Sequence, residues 1–373
     1  MVNKIYEFQP DYAIHPGVYL DELLASRGMN QAELAIRLGI TRKHLSNIIN
    51  EKVPITLELA HYLEKVFNDH SAKYWLSLQM TYDIFEKNKS LEAEYLAQKE
   101  KYDKWLAQFD YLNLVKMGYV KEINQGKSSG IKINNLLVYF GCSDIESWNE
   151  MYLGDLPAAC RISGAGNAKL GNTSSWIRRG QIMAQSAFYT IPKYDKKKFK
   201  SVLSDIKDIT INTKEGFDKK MIDLCASVGV ILLFIREVPR SGICGAAYWV
   251  NSNTTPCIQM SLRFKKNDHF WFTFFHEAAH ILKEHKKTIY LDCDKIEKTE
   301  SESEADRMAR DFLIPSREYK EFLQKNRFQV SDIAEFAKGI NIHPGIVVGR
   351  LQHDGQIPWS WHNSLKETFD WGA

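Results

Sequence analysis

Apolar residues at helical spacing run through most of the chain, and one stretch breaks this pattern. The spacing predicts compact helices over residues 15–68, more helices over about 69–126 and 131–200, and five further helices after residue 268. Between these, the apolar residues are branched and consecutive, as in buried strands. The strand candidates are Val228–Ile235, Ala246–Val250 and Cys257–Leu262. The pattern predicts a mainly α protein with a small β-sheet, an α+β fold.

Length and changes in pattern divide the chain into three segments. A chain of 373 residues exceeds the ~150 residues of one typical domain. We expect an all-α N-terminal domain over residues 1–85, an α-helical connector over 86–200 and an α+β domain over 201–373.

Two short helices near the N-terminus carry their own start and stop signals. Asn30 can cap a helix, with Glu33 three residues later, and Gly39 suits the left-handed residue that ends it. Thr41 can cap the next helix. Two apolar stripes face inward: Leu34, Ala35 and Leu38, then Leu45, Ile48 and Ile49. Two short helices joined by a glycine turn predict a helix-turn-helix.

The outward side of this motif is rich in hydrogen-bond donors, as contacts with bases and phosphates require. The candidate DNA-binding residues are Gln31, Thr41, Arg42, Lys43, His44, Ser46 and Asn47. Basic and acidic side chains of residues 15–68 nearly balance, so affinity for DNA would depend on a local patch and on a homodimer. The alternative is a helical domain that serves protein contacts only.

An HExxH sequence lies at residues 276–280 after a run of apolar residues. On a helix, His276 and His280 share a face and can bind one metal ion. Glu277 is rotated by ~100° from His276, so its carboxylate can act as general base on a water molecule at that metal. The motif alone also occurs by chance, but two buried histidines without a partner would be costly.

A third ligand is needed for catalytic zinc, and the acidic helix over 300–313 is its candidate source. On a helical wheel Glu302 lies at the edge of the apolar face, with Asp306 on the same side. We expect Glu302 to bind the metal and Asp306 to orient a ligand histidine. For Glu300 and Glu304 a solvated helix start is favoured, and for Glu302 it is the alternative.

Residues 225–355 resemble the ImmA/IrrE family of metallopeptidases. The similar segments are FTFFHEAAHILKEH, ESEADRMARDFLIP and IAEFAKGINIHPGIVVGRLQHDG. The resemblance implies a zincin-like, zinc-dependent endopeptidase with His276, His280 and Glu302 as ligands and Glu277 as general base. It also implies action on transcriptional repressors or related regulatory proteins. Ala278 and Ala279 replace the Leu-Gly usual there.

Residues 12–85 resemble HigA-type antitoxins of the Xre helix-turn-helix family. The resemblance lies in His15-Pro16-Gly17, QAELAIRLGITRKHLSNIINEK and SAKYWLSLQMTYD. It implies DNA binding and autoregulation of an operon.

Composition narrows the classes of protein that remain. With 44% hydrophobic and 25% charged residues, the chain is neither disordered nor of low complexity. A net charge of +3 excludes a polycation that wraps nucleic acid. The six cysteines form no CxxC pair, which argues against a cysteine zinc site. We find no signal sequence and no apolar run near the ~20 residues of a membrane span, so we expect a cytoplasmic protein without a membrane partner.

Further expectations concern the substrate. The Cys257–Leu262 strand is the candidate sheet edge for a peptide added as a strand, with a core strand as the alternative. His285, Tyr248 and His343 are candidate donors to the transition state, although a structural role is favoured for each.

Two functions of different class fit these patterns. The first is a DNA-binding transcriptional regulator fused to a zinc endopeptidase that cleaves a regulatory protein or itself. The second is a non-catalytic, HigA-like antitoxin whose peptidase-like domain binds and neutralises a toxin. Operator DNA is the partner in both. A third possibility is a sensor in which zinc only gates DNA binding.

Overall fold

The computed structural model describes residues 12–121, 129–153, 170–187, 190–213, 216–284, 290–293 and 300–370. The chain forms two compact units, Met1–Glu100 and Lys101–Ala373, which are described separately. Within the described ranges, none of the helices is both long and apolar enough to cross a lipid bilayer.

The first unit is a helical domain. Its helices are α1 (Pro16–Ser26), α2 (Gln31–Leu38), α3 (Arg42–Ile49), α4 (Leu57–Val66) and α5 (Ala72–Ala97). The predicted apolar stripes of α2 and α3 are buried in one core together with leucines of α1 and α4 and with Trp75 of α5.

The ends of α2 and α3 follow from local chemistry. Asn30 Oδ1 accepts a hydrogen bond from the Glu33 amide at 2.9 Å, and Gly39 takes the left-handed conformation with φ 69°. Thr41 Oγ1 then accepts from the His44 amide at 3.1 Å. Each cap satisfies an amide that the first helical turn leaves without a partner. The helix-turn-helix forms as predicted.

The second unit is helical with one small sheet. Its helices are α6 (Lys99–Leu106, which begins in the first unit), α7 (Tyr111–Lys116), α8 (Ser129–Phe140), α9 (Ile145–Trp148), α10 (Leu170–Ala187), α11 (Lys196–Ile209), α12 (Phe217–Ser227), α13 (Asn267–Lys283), α14 (Glu300–Leu313), α15 (Ser316–Gln324), α16 (Val330–Gly339) and α17 (Pro344–His353). The strands are β1 (Ile231–Phe234), β2 (Ile243–Val250), β3 (Thr255–Met260) and β4 (Tyr290–Cys293).

Strand order in the sheet is β1-β3-β2-β4. Strand β3 pairs parallel with β1 and antiparallel with β2, and β2 also pairs antiparallel with β4. The expectation that Cys257–Leu262 forms a sheet edge was therefore wrong. Among the described strands, β1 and β4 form the edges, and β3 is enclosed because strands on both sides use its backbone groups.

One face of the sheet packs on α13. The apolar core there joins Trp271, Phe274 and Phe275 of α13 with Ala247 of β2 and Ile258 of β3, all fully buried or nearly so. The same core includes Ala309 and Leu313 of α14. Helix α13 is therefore buried between the sheet and α14.

The opposite face of the sheet packs on α10. Gln259 Nε2 donates to the Trp176 carbonyl at 2.8 Å, and Trp176 Nε1 donates to the Ile235 carbonyl at 3.0 Å. Gly180 makes this contact possible, because a Cβ there would overlap the side chains of Gln259 and Tyr248. The segment expected to be a connector thus contributes a helix to the core of the second unit.

Candidate metal centre and helix-turn-helix surface

Three buried or half-buried side chains from two helices meet at one point. His276 and His280 lie one turn apart on α13, and Glu302 lies in the first turn of α14. His276 Nε2 is 3.1 Å from His280 Nε2 and 3.0 Å from Glu302 Oε2. His280 Nε2 is 3.4 Å from Glu302 Oε1. The structure brings together the residues that the sequence proposed as metal ligands.

The spacing of these groups fits a metal ion. A tetrahedral zinc site with bonds of ~2.1 Å places its ligand atoms ~3.4 Å apart. The three groups offer two imidazole nitrogens and one carboxylate oxygen, all within 4.8 Å of one another. Two nitrogens and one oxygen are a donor set that zinc uses in hydrolases, so the residues fit the ion that the sequence implied.

Electrostatics keep two of these groups in the form that binds a cation. Burial alone would raise the pKa of the Glu302 carboxyl, but its close contacts with the His276 and His280 imidazoles outweigh burial and lower that pKa to about 2. Burial lowers the pKa of the His280 imidazole, against the opposing effect of Glu302. A carboxylate and a neutral imidazole therefore face each other at neutral pH.

Glu277, a residue of α13, is 0% exposed, and its side chain faces Gly245 of β2. The space for its carboxylate exists because residue 245 is a glycine: a Cβ there would lie 2.9 Å from Glu277 Oε1 and 2.6 Å from Thr273 Cγ2. Sequence reasoning missed Gly245. The available signal was a glycine directly before the predicted strand Ala246–Val250, since a glycine in a strand often marks a close approach of another group.

Asp306 lies one turn after Glu302, on the side of α14 that faces His276. Its Oδ1 is 3.0 Å from His276 Nδ1, and its Oδ2 is 3.4 Å from Arg310 Nη2. Glu304 instead pairs with Lys283 at 2.8 Å and is about half exposed. The two positions differ as the helical wheel suggested, since Asp306 is buried and Glu304 faces solvent.

The candidate donors to a transition state lie elsewhere or outside the described residues. Tyr248 is on the face of the sheet that packs on α10, and its hydroxyl donates to Gln259 Oε1 at 2.9 Å. His343 caps α17, with its Nδ1 accepting from the Gly345 amide at 3.1 Å and lying 2.8 Å from Asn267 Nδ2. His285 lies outside the described residues. Tyr248 and His343 are therefore structural here.

In the first unit, α3 presents most of the predicted DNA-binding residues to solvent. Gln31, Thr41, Arg42, Lys43 and His44 are exposed, and Ser46 and Asn47 are half-buried. Within the described part of the protein, neither Arg42 nor Lys43 forms an ion pair, so both charges are available. The Gln31 amide donates to Asp21 Oδ1 at 3.1 Å.

Comparison with known proteins finds one family match in each unit. Residues 20–68 match the helix-turn-helix family, and residues 231–342 match the IrrE N-terminal-like domain of peptidase family M78. The chain is 34% identical over 104 residues to YbaQ of Escherichia coli K12, an uncharacterised HTH-type transcriptional regulator, which covers 25% of this chain and 91% of YbaQ.

Virulence-associated protein A' of Dichelobacter nodosus is 40% identical over 70 residues, or 19% of this chain. The chain spans 61% of the length of that relative. A solved structure of a HigA-family antidote protein from Coxiella burnetii has 33% identity over 22% of this chain and 91% of its own length, with a TM-score of 0.21. The chain belongs to the helix-turn-helix family of transcriptional regulators that includes YbaQ, and it carries a second domain of the ImmA/IrrE type, peptidase family M78.

Proposed function

We propose that this protein is a cytoplasmic, DNA-binding transcriptional regulator whose second unit is a zinc-dependent endopeptidase. Its substrate is a regulatory protein or the protein itself. The observation that carries the proposal is the convergence of His276, His280 and Glu302 beside a buried Glu277 on the same helix.

His276, His280 and Glu302 would hold Zn²⁺. When bound, Zn²⁺ acts as a Lewis acid and makes water acidic enough to serve as a nucleophile near neutral pH. Asp306 orients His276 through Nδ1, which leaves Nε2 directed at the other two ligands. The low pKa of the Glu302 carboxyl keeps this group ionised at neutral pH, which is the form that binds a cation.

Glu277 accepts the proton from the attacking water and returns it to the leaving amine. Burial against Gly245 supports this role in two ways. The close contact fixes the carboxylate in one position, and the surrounding apolar helix excludes competing solvent.

A peptide substrate binds as an added strand along β4. Among the described strands, β4 lies at a sheet edge next to β2, which carries Gly245 beside Glu277. An unpaired edge offers its backbone groups to an extended peptide, main chain to main chain. The other edge, β1, is separated from β2 by β3.

The first unit binds an operator as a homodimer. Helix α3 lies in the major groove, with Arg42 and Lys43 on phosphates and His44, Ser46 and Asn47 near base edges. Two copies are needed because one nearly neutral helical unit offers few charges to the DNA backbone.

The test compares Glu277→Gln with the matched variant Glu304→Gln, which changes a solvent-facing glutamate of α14. Zinc-loaded protein is incubated alone and with a peptide library, and cleavage is followed by mass spectrometry. We expect Glu277→Gln to lose cleavage by ~100-fold or more while it retains zinc and operator affinity. Glu304→Gln should behave like the wild type.

Other outcomes separate the competing functions. Cleavage by Glu277→Gln at the wild-type rate would refute Glu277 as general base. A wild-type protein that binds zinc and operator but cleaves neither itself nor any peptide, with a biological effect that survives Glu277→Gln, would favour an antitoxin that acts by binding. A chelator that changes operator affinity without any proteolysis would favour a metal-gated regulator.

A further inference from the structure

The C-terminal segment, residues 357–370, packs against the start of α13, the helix that carries both candidate histidine ligands. The Asn267 amide donates to the Glu367 carbonyl at 3.1 Å, and the Phe369 amide donates to the Lys265 carbonyl at 2.7 Å. The Phe369 side chain is buried in the core of the second unit. This segment is therefore part of the same folded unit as α13, although it lies beyond the residues that match peptidase family M78.

A buried ion pair joins the segment to α13. Lys366 Nζ lies 2.6 Å from Asp268 Oδ2, and the two side chains are 6% and 7% exposed. Lys366 Nζ also donates to Gln352 Oε1 of α17 at 2.7 Å. Gly349, one turn earlier on α17, leaves space for the carboxylate, because a Cβ there would overlap Asp268 Oδ2. Two helices and the C-terminal segment thus meet at one carboxylate.

Gln352 fixes the position of the Lys366 ammonium group. The Gln352 side chain is buried, and its Nε2 donates to the Trp359 carbonyl at 3.1 Å and to the Trp361 carbonyl at 2.8 Å. Its amide oxygen and its amide nitrogen are therefore both engaged, and both contact the C-terminal segment. The ammonium group of Lys366 is held between this amide and Asp268.

Stability alone does not account for a pair of this kind. The cost of removing two charges from water offsets most of their attraction, so apolar residues of similar volume would often fold as well or better. A directed ion pair instead favours one alignment of the two elements that it joins. Asp268 lies in the first turn of α13, where the helix dipole also favours a negative charge. It is therefore a fixed point at the start of that helix.

The alignment of α13 matters at its other end. Asp268 precedes His276 by eight residues, or about 12 Å along the helix axis. His276 and His280 lie on α13 and Glu302 lies on α14, so a slip of α13 along its axis would separate the nitrogens from the carboxylate. Metal–ligand distances vary by only about 0.2 Å, so a small slip is enough to weaken the site.

We propose that Lys366 is a positioning residue for the metal centre. Through Asp268 it fixes α13 along its axis, so that the two histidines stay opposite Glu302. This inference rests on the zinc site of the proposed function, but it does not require that the protein cleaves peptides.

The test uses the full-length double variant Asp268→Asn with Lys366→Met, which leaves no unpaired buried charge and should melt close to the wild type. Competition with a chromophoric chelator measures zinc affinity, and the visible spectrum of bound Co²⁺ reports the geometry of the site. We expect zinc affinity to fall about tenfold and the Co²⁺ spectrum to change. Lys265→Met is the matched control: it breaks a pair with Asp370 between the same two parts of the chain, but these side chains are 55% and 69% exposed. It should change neither quantity.

Gly349→Ala is the second probe, because it displaces the Asp268 carboxylate without removing a charge. It should also lower zinc affinity about tenfold. Wild-type zinc affinity and an unchanged Co²⁺ spectrum in both folded variants would overturn the inference, as would an equal loss in Lys265→Met. A wild-type protein that binds no zinc would refute the metal centre and this inference together. Zinc binding without peptide cleavage would refute only the peptidase, and the effect of the variants on zinc affinity should persist.

Discussion

His276 and Asp306 face each other across the contact between α13 and α14, with Nδ1 and Oδ1 3.0 Å apart. Both side chains are buried, and Arg310 lies 3.4 Å from the second oxygen of Asp306. A carboxylate in this position favours the imidazole with its proton on Nδ1. The lone pair of Nε2 is then directed towards His280 and Glu302, which is the form that binds a metal ion.

Asp306→Asn should lower zinc affinity by ~10–100-fold, because an uncharged amide holds the Nδ1 proton less strongly and orients the ring less well. Competition with a chromophoric chelator measures the change. Asp311→Asn makes the same substitution on an exposed position of α14 and should leave zinc affinity unchanged. Equal affinities of wild type and Asp306→Asn would show that this carboxylate has no part in metal binding.

Gly245→Ala should abolish cleavage while zinc remains bound. The new methyl group would lie 2.9 Å from Glu277 Oε1 and 2.6 Å from Thr273 Cγ2, so either the carboxylate or the strand must move. Overpacking of this kind costs about 1–3 kcal/mol of unfolding free energy. Peptide cleavage, zinc content and thermal melting are measured together, at a temperature where the variant is folded.

Gly339→Ala is the control for this experiment, since an added Cβ at that position meets no atom within 4 Å. Its activity should equal that of the wild type. Full activity in Gly245→Ala would mean that the position of Glu277 does not depend on the missing side chain.

The parts of the fold that could be predicted from the sequence are those set by neighbours along the chain. The caps at Asn30 and Thr41 and the turn at Gly39 depend on residues within three or four positions. The four-residue spacing of His276 and His280 likewise fixes their common face on α13. The helical wheel placed Glu302 and Asp306 on the inner side of α14 because an apolar stripe marks that side.

The parts that could not be predicted depend on strand order. Cys257–Leu262 has the composition of either an edge or a central strand, and only pairing with both β1 and β2 decides between them. Tyr248 is an odd number of residues from Gly245, so the pleat of β2 turns its side chain away from Glu277. Its contact with α10 could not be predicted, because the two are about 70 residues apart in the sequence. Strand β4, with the sequence YLDC, lacks the run of consecutive branched apolar residues that marked the predicted strands.

Arg42→Ala combined with Lys43→Ala should weaken operator binding and flatten its dependence on salt. Each lost phosphate contact reduces the slope of log affinity against log salt by about 0.9. Fluorescence anisotropy at several salt concentrations measures both quantities. Lys87→Ala with Lys89→Ala, which removes the same charge from exposed positions of α5, should change neither. An unchanged slope in the first variant would exclude Arg42 and Lys43 from the interface.

His15 should make the stability of the first unit depend on pH. Its Nδ1 accepts a hydrogen bond from the Gly17 amide at 2.9 Å at the start of α1, a role that only a neutral nitrogen can fill. Burial lowers the pKa of His15 below its ordinary value of 6.5, against the opposing effects of Glu51 and Asp83. The folded state therefore resists a proton that the unfolded state accepts.

It follows that stability is full above pH ~6.5 and falls as the pH drops through that value, with a slope of at most about 1.4 kcal/mol per pH unit from this one group. Trp75 is the one tryptophan of the first unit, so its resonance in fluorine-labelled protein reports unfolding of that unit during urea titrations at different pH. In His15→Asn the cap is retained by a side chain that does not titrate, and this part of the pH dependence should disappear. The same slope in wild type and His15→Asn would assign the pH dependence to other groups, whereas its loss identifies the buried cap of α1 as its source.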